Sequence, residues 1–120
     1  MTDMATVEIK AFVPARDFAL SQRFYQDLGF EVAWSSDGLA YLRHGSSSFL
    51  LQDFYNKDHA DNFMMHLLVK DVDAWWRHVQ GLIAKYGVKT EALAERPWGM
   101  RDFAICDPTG ILWRIGQNSP

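Results

Sequence analysis

The chain carries one order of predicted elements twice, and this repeat constrains the fold more than any other feature. Asp17 and Asp71 each occupy the N-cap position ahead of a segment with apolar residues at helical spacing. Gly29 and Gly87 close the two helices, within the similar strings LGF and YGV. A repeat of this size indicates a supersecondary unit that cannot bury its apolar face alone, so the two copies must pack together.

Alternating apolar residues and turn signals predict strands around both helices. Val7, Ile9 and Val13 share one face of the first predicted strand, which Pro14 ends. A polar linker at 56–62 separates the halves, and Asp107-Pro108-Thr109-Gly110 predicts the last hairpin turn. The predicted strands are 7–13, 30–34, 39–43 and 49–54 in the first half, and 63–69, 88–93, 101–106 and 111–116 in the second.

These elements predict an α+β fold built from two βαβββ modules, about 5–55 and about 62–118, in a single domain spanning 1–120. We expect each sheet to curve around a shared concavity, which gives a mixed-sheet half-barrel around a cavity. The pattern leaves open whether the modules pair within one chain or swap between two chains.

Composition excludes several classes of protein. With 48% hydrophobic residues and a net charge of −3, the 120-residue chain has the composition of a globular protein. Basic residues are scattered, so we expect no nucleic-acid partner. The one cysteine excludes an internal disulfide. No signal peptide and no apolar run of membrane-spanning length are seen, so we expect a cytoplasmic protein without a membrane partner.

Two motifs carry a family resemblance. The string FYQDLGF at 24–30 resembles the element that closes the first helix in the vicinal oxygen chelate superfamily, which includes glyoxalases, bleomycin resistance proteins and extradiol dioxygenases. The strings WGMRDF at 98–103 and DPTG at 107–110 resemble its ending. The resemblance covers nearly the whole chain, and Pro97-Trp98-Gly99 and the length are most similar to the bleomycin resistance branch.

The resemblance also implies where a metal would be held. Enzymes of this superfamily place His or Glu ligands on inward strand faces, and the matching positions here are Lys10, Gln52, Met64 and Arg114. An ammonium and a guanidinium have no lone pair to give and would repel a divalent ion. We therefore expect no metal cofactor.

The two cations at these positions have two possible roles. Lys10 and Arg114 either grip an anionic ligand or form internal salt bridges, to Glu8, Asp53 or another acid. His66 shares a strand face with Met64, where it is either a satisfied core histidine or a general base. The sequence leaves both alternatives open.

Aromatic residues at turns complete the candidate site. Trp34 and Trp98 border turns, and the resemblance implies a ligand groove lined by aromatic rings between two subunits of a homodimer. Such rings serve either the ligand or the dimer contact. The candidate ligand-binding residues are Lys10, Phe12, Trp34, Gln52, Met64, His66, Trp98 and Arg114.

Three functions remain compatible with the sequence. The first is a metal-free homodimer that sequesters an antibiotic-like or anionic small molecule. The second is a divalent-metal-dependent lyase or dioxygenase with shifted ligands, such as His66, Glu8 and Asp53. The third is an accessory module whose cavity is only core. The sequence does not decide whether the chain is an enzyme.

Overall fold

Residues 2–120, which the computed structural model describes, form eight strands and three helices in two sheets. The first half contains β1 (Phe12–Ala15), α1 (Phe18–Leu28), β2 (Glu31–Ser36), β3 (Leu39–His44) and β4 (Ser47–Asp53). A short helix, α2 (Lys57–Asp61), connects the halves. The second half contains β5 (Met64–Leu68), α3 (Val72–Tyr86), β6 (Thr90–Arg96), β7 (Met100–Cys106) and β8 (Leu112–Asn118).

The two sheets have the same topology. The first sheet has the order β1-β4-β3-β2 and the second has the order β5-β8-β7-β6. The first strand of each half pairs in parallel with the last, and the other pairings are antiparallel. The predicted α+β fold with two βαβββ modules is therefore confirmed, and neither sheet closes into a barrel.

Both predicted N-caps are confirmed. The Asp17 carboxylate accepts a hydrogen bond from the backbone N–H of Leu20, and the Asp71 carboxylate accepts one from Ala74. Gly87 ends α3 with a left-handed φ of 63°. Helix α2 lies in the segment that was predicted to be a linker. It was not predicted, because five residues are too few to show helical periodicity.

The first predicted strand is placed differently. It begins at Phe12 rather than residue 7, and Pro14 lies inside it instead of ending it. Proline is tolerated there because β1 is an edge strand, which has a partner on one side only. Val7 and Ile9 were predicted to share a strand face with Val13, but they precede β1 and are 98% and 95% exposed, whereas Val13 is buried.

One core joins the two halves. Helix α1 packs on the first sheet, α3 packs on the second sheet, and the two helices contact each other. Trp113 of β8 packs against Tyr25, Phe30 and Phe49 of the first half. Each sheet therefore keeps one face without a helix, which we call its open face. No helix among residues 2–120 is long and apolar enough to cross a membrane.

Candidate functional site

The open face of the second sheet is partly apolar and accessible. Met64, His66 and Leu68 alternate outward along β5, and all three side chains are exposed. The parallel register sets His66 beside Arg114 of β8. The alternative of a satisfied core histidine is therefore wrong, because the core face of β5 is taken by Met65 and Leu67.

Arg114 belongs to a cluster of two acids and two arginines, Glu91, Arg96, Asp102 and Arg114, which we call the ion-pair cluster. Asp102 is fully buried, and its Oδ1 accepts from Arg96 Nε at 2.8 Å and from Arg114 Nη1 at 2.9 Å. Glu91 bridges the same two guanidinium groups, at 2.9 Å and 3.2 Å. The two positive and two negative charges thus form ion pairs with one another, and the cluster is neutral overall.

Trp98 is attached to this cluster by its ring edge and one ring face. It lies in the turn between β6 and β7, and its indole N–H donates to Asp102 Oδ2 at 3.2 Å. The guanidinium carbon of Arg114 lies 5.3 Å from the ring centroid, which is a cation–π distance. The side chain is nevertheless 56% exposed. The structure therefore presents an oriented indole at the rim of the open face.

Sequence reasoning did not find the acid that orients this indole. Asp102 lies in a strand whose neighbouring residues, Phe103 and Ile105, predict a core segment. The alternation of the strand could have revealed this acid. It places Asp102 on the same face as Met100 and Ala104, opposite to Phe103 and Ile105. Gly116 makes room beside it, since a Cβ there would lie 3.0 Å from Asp102 Cβ.

Lys10 is held by a second set of contacts, at the first sheet. Its Nζ donates to Glu8 at 2.9 Å, and Glu8 also accepts from Ser48 and Tyr41. These bonds, with Lys10 first, lower the pKa of Glu8 from 4.5 to about 2. Both candidate cations are thus in internal ion pairs. Glu8 is one of the expected partners, whereas Asp53 pairs with neither cation.

The eight candidate residues divide between the two open faces and do not form one group. Phe12 and Trp34 are about half exposed. The register sets Trp34 beside Tyr41, whereas Gln52 pairs with Pro14 and Leu39. No hydrogen bond within residues 2–120 joins the candidates of the first sheet to those of the second. The first set is Lys10, Phe12, Trp34 and Gln52, and the second is Met64, His66, Trp98 and Arg114.

A cleft of about 510 Å³ lies between the halves. Its walls are the N-terminal segment, the start of β4 and β5 from Met65 onward, with Phe30 and Trp113 also lining it. Glu8, Ser48 and His66 share this cleft, so the structure brings these polar groups to one cavity.

The residues at the positions where the family resemblance implies metal ligands do not fit a divalent cation. A lysine, a glutamine, a methionine and an arginine supply one neutral oxygen, one thioether and two cations in place of imidazole and carboxylate. Among residues 2–120, no three His, Cys, Asp or Glu side chains are grouped to hold a metal ion. The alternative set of His66, Glu8 and Asp53 is therefore not assembled in this chain.

Comparisons with known proteins agree with this fold. A bleomycin resistance protein from Klebsiella pneumoniae is 29% identical, over 98% of this chain and 94% of that protein. A bleomycin-binding protein solved with bleomycin superposes with a TM-score of 0.79 at 24% identity, covering 95% of this chain and 100% of the other. An antibiotic-binding protein from a Streptomyces species gives a TM-score of 0.77 at 24% identity, covering 98% and 100% of the two chains.

A family model described as the Glyoxalase/Bleomycin resistance protein/Dioxygenase superfamily matches residues 7–115. The paired βαβββ topology and the two motifs quoted above lie within that range. This chain therefore belongs to the Glyoxalase/Bleomycin resistance protein/Dioxygenase superfamily.

Proposed function

We propose that this chain is a metal-free binding protein, which sequesters an antibiotic-like small molecule in the cytoplasm without turning it over. The observation that carries the proposal is the ion-pair cluster: Arg114 occupies a position where the superfamily's enzymes place a metal ligand, and Asp102 and Glu91 hold it there. A cation fixed by two acids cannot be exchanged for a divalent metal without dismantling the network.

The relatives support binding as the activity. The protein from Klebsiella pneumoniae is a bleomycin resistance protein, and two of the similar structures are a bleomycin-binding and an antibiotic-binding protein. This chain offers exposed aromatic and aliphatic side chains for such a role, as ligand sites in proteins commonly do. The candidate contacts are Phe12, Trp34, Met64, His66, Leu68 and Trp98.

We further propose that the binding cleft forms in a homodimer. The open face of each sheet carries large exposed apolar side chains, among them Phe12 on the first sheet and Met64 on the second. Exposed apolar surface of this kind is typical of protein contacts or ligand grooves. A second copy would cover part of both faces and leave the remainder as the walls of a cleft.

Metal content and ligand binding test this proposal together. The protein is purified without chelators, dialysed against Mn, Fe, Ni and Zn in separate samples, and measured by elemental analysis. We expect metal at background level and, in a calorimetric screen of antibiotics, binding that chelator leaves unchanged. The ligands should be recovered unmodified by mass spectrometry.

About one equivalent of bound metal per chain would contradict the proposal and favour the metalloenzyme alternative. His66, which shares the cleft with Glu8, is the residue to test in that case. The variant His66→Ala would then lose the metal, while His59→Ala, on the exposed helix α2, serves as the matched control.

A further inference from the structure

We infer that this chain has a second ligand site, on its helical side, which takes a small uncharged aromatic compound that carries an N–H or O–H donor. The site is a pocket of about 260 Å³, which we call the helix pocket, where the ends of α1 and β3 meet α3. Its lining residues are Leu28, Gly29, His44, Ala74, Trp75 and His78. None of these six residues lines the cleft between the halves, so the inference does not rest on the proposed antibiotic binding.

Most of the wall of the helix pocket is apolar. Leu28 is the last residue of α1, Ala74 presents a methyl group from α3, and the half-buried indole of Trp75 packs on the core. Helix α1 ends at Gly29, which has a φ of 129° and no side chain to fill the space beside it. Drug-sized ligands occupy pockets of roughly 300–1,000 Å³, so this smaller pocket suits a compound of one or two rings.

Three aromatic rings of the helix pocket hold one another in place. The centroids of the His44 and Trp75 rings are 5.3 Å apart, with 81° between the ring planes. The centroids of the Trp75 and His78 rings are 6.4 Å apart, with 85° between the planes. Both are favourable edge-to-face arrangements. Because the rings are already oriented, a ligand would order few side chains on binding, which favours affinity.

Both imidazoles are anchored to backbone carbonyls at the end of α1. His44 Nδ1 donates to the Gly29 carbonyl at 2.9 Å. His78 Nε2 donates to the Asp27 carbonyl at 2.8 Å. Since a carbonyl oxygen only accepts, each of these nitrogens carries the hydrogen, and the other nitrogen of the neutral ring is an acceptor. Within residues 2–120, no donor is hydrogen-bonded to these acceptors, which are His44 Nε2 and His78 Nδ1.

The two acceptor nitrogens define the chemistry of the ligand. A compound with an N–H or O–H can donate to one of them, whereas a compound of the same shape without a donor would take water from both and replace nothing. The Asp27 carboxylate does not attract a ligand cation, because it is paired with Lys85 Nζ at 2.8 Å and accepts from Tyr86. The negative end of the α1 dipole disfavours an anion. The helix pocket therefore selects a donor on an uncharged ring.

Indole and benzofuran test the ligand class, because they share one fused-ring shape and differ in the N–H donor. Each is titrated into the isotope-labelled full chain and followed by NMR. We expect indole to bind with a Kd below about 1 mM, as a small ligand of ordinary efficiency should. Benzofuran should bind about fivefold more weakly, the ratio for one missing hydrogen bond. The largest chemical-shift changes should fall on the Gly29 amide and the Trp75 indole N–H.

A pocket-filling variant tests the location of the site. Ala74→Leu should weaken indole binding by about tenfold or more, because the larger side chain occupies the helix pocket. The backbone N–H of residue 74 can still donate to the N-cap, Asp71. Ala84→Leu makes the same change at an exposed position of α3 outside the pocket and should leave indole binding unchanged. Alanine and leucine are both strong helix formers, and thermal unfolding shows whether each variant is folded.

The double variant His44→Phe with His78→Phe keeps two aromatic rings and removes both acceptor nitrogens. It should lower the affinity for indole to that for benzofuran, whereas His59→Phe, on α2, should keep the preference for indole.

Equal affinities of the unsubstituted chain for indole and benzofuran would overturn the inference. Absence of binding would overturn it too, as would shift changes confined to the open face around Trp98. These outcomes are read on the unsubstituted chain, so they decide the inference even where a variant does not fold. The antibiotic screen decides the proposed function separately.

Discussion

Glu8 is the residue on which the N-terminal segment depends for its position. Its carboxylate accepts from Lys10 and Ser48, and from Tyr41 of β3. These three donors hold its pKa at about 2, well below 4.5. Because successive residues of an extended chain point to opposite sides, the same contacts turn Val7 and Ile9 away from the sheet.

The substitution Lys10→Met should raise the pKa of Glu8 from about 2 toward 4.5 without reaching it, since Ser48 and Tyr41 still donate. A carboxyl with a lowered folded-state pKa stabilises the fold above its unfolded pKa, and this stabilisation is lost as the pH falls from about 4.5 through about 2. Carbon NMR titration of the carboxyl group measures the shift. Lys57→Met, which breaks the pair with Asp61, is the control and should leave Glu8 unaffected. Titration of Glu8 near 4.5 in the unsubstituted protein would contradict the structure.

At this scale the sequence predicts partners that are close along the chain. Lys10 and Glu8 are two positions apart on one face of the predicted strand, so their pairing could be anticipated. The partners of Arg114 could not, because Glu91 and Asp102 reach it only through the register of β6, β7 and β8. A register depends on pairing between distant segments, and one sequence without its sheet does not determine it.

Among the elements, helix α1 and the turn before β8 are fixed to each other by a buried hydrogen-bonded chain. Trp113 Nε1–H donates to the Tyr25 hydroxyl at 2.9 Å, and that hydroxyl donates to Asp107 Oδ2 at 2.5 Å. Oδ1 of Asp107 accepts from the backbone N–H groups of Thr109, Gly110 and Ile111. Burial raises the pKa of Asp107, which these hydrogen bonds counteract in part.

The substitution Tyr25→Phe should lower the free energy of unfolding by about 1–3 kcal/mol, because it leaves a buried acceptor on Asp107 and a buried donor on Trp113. Urea unfolding measures the loss. Tyr86→Phe removes a hydroxyl that donates to the more exposed Asp27, where water replaces it, so the loss should be clearly smaller. Equal losses of unfolding free energy in the two variants would show that the hydrogen bonds of the Tyr25 hydroxyl do not hold these elements together.

The helix ends were predicted from local signals, whereas the start of the first strand, which depends on a pairing partner, was not. Asp17, Asp71 and Gly87 mark helix ends through bonds to residues one turn away. Alternate residues of the strand predicted from residue 7 do point to opposite sides. The observed strand nevertheless begins later, because the N-terminal segment first pairs with β4 through the hydrogen bond from the Leu50 N–H to the Ala11 carbonyl. Alternation predicts which residues share a face, whereas pairing decides whether a strand exists.

At the scale of the whole molecule, large apolar side chains are exposed on the N-terminal segment and on the open faces of both sheets. Val7 and Ile9 of the N-terminal segment are almost fully exposed. The open faces of both sheets carry large apolar side chains as well, including Trp34 and Leu68. A second copy of the chain would bury these groups, and burial of apolar area is the main source of association free energy.

We therefore expect light scattering to give twice the mass of one chain. The double variant Val7→Ser with Ile9→Ser should shift the equilibrium toward the monomer, because each substitution removes apolar area that the dimer would bury, worth on the order of 1 kcal/mol or more per side chain. Exchanging the two residues, Val7→Ile with Ile9→Val, keeps the apolar area and should leave the dimer intact. A monomeric mass for the unsubstituted chain would contradict the proposal that two copies share one binding cleft. Each open face would then have to bind its ligand alone, and Trp98 on the second sheet would be the remaining stacking platform there.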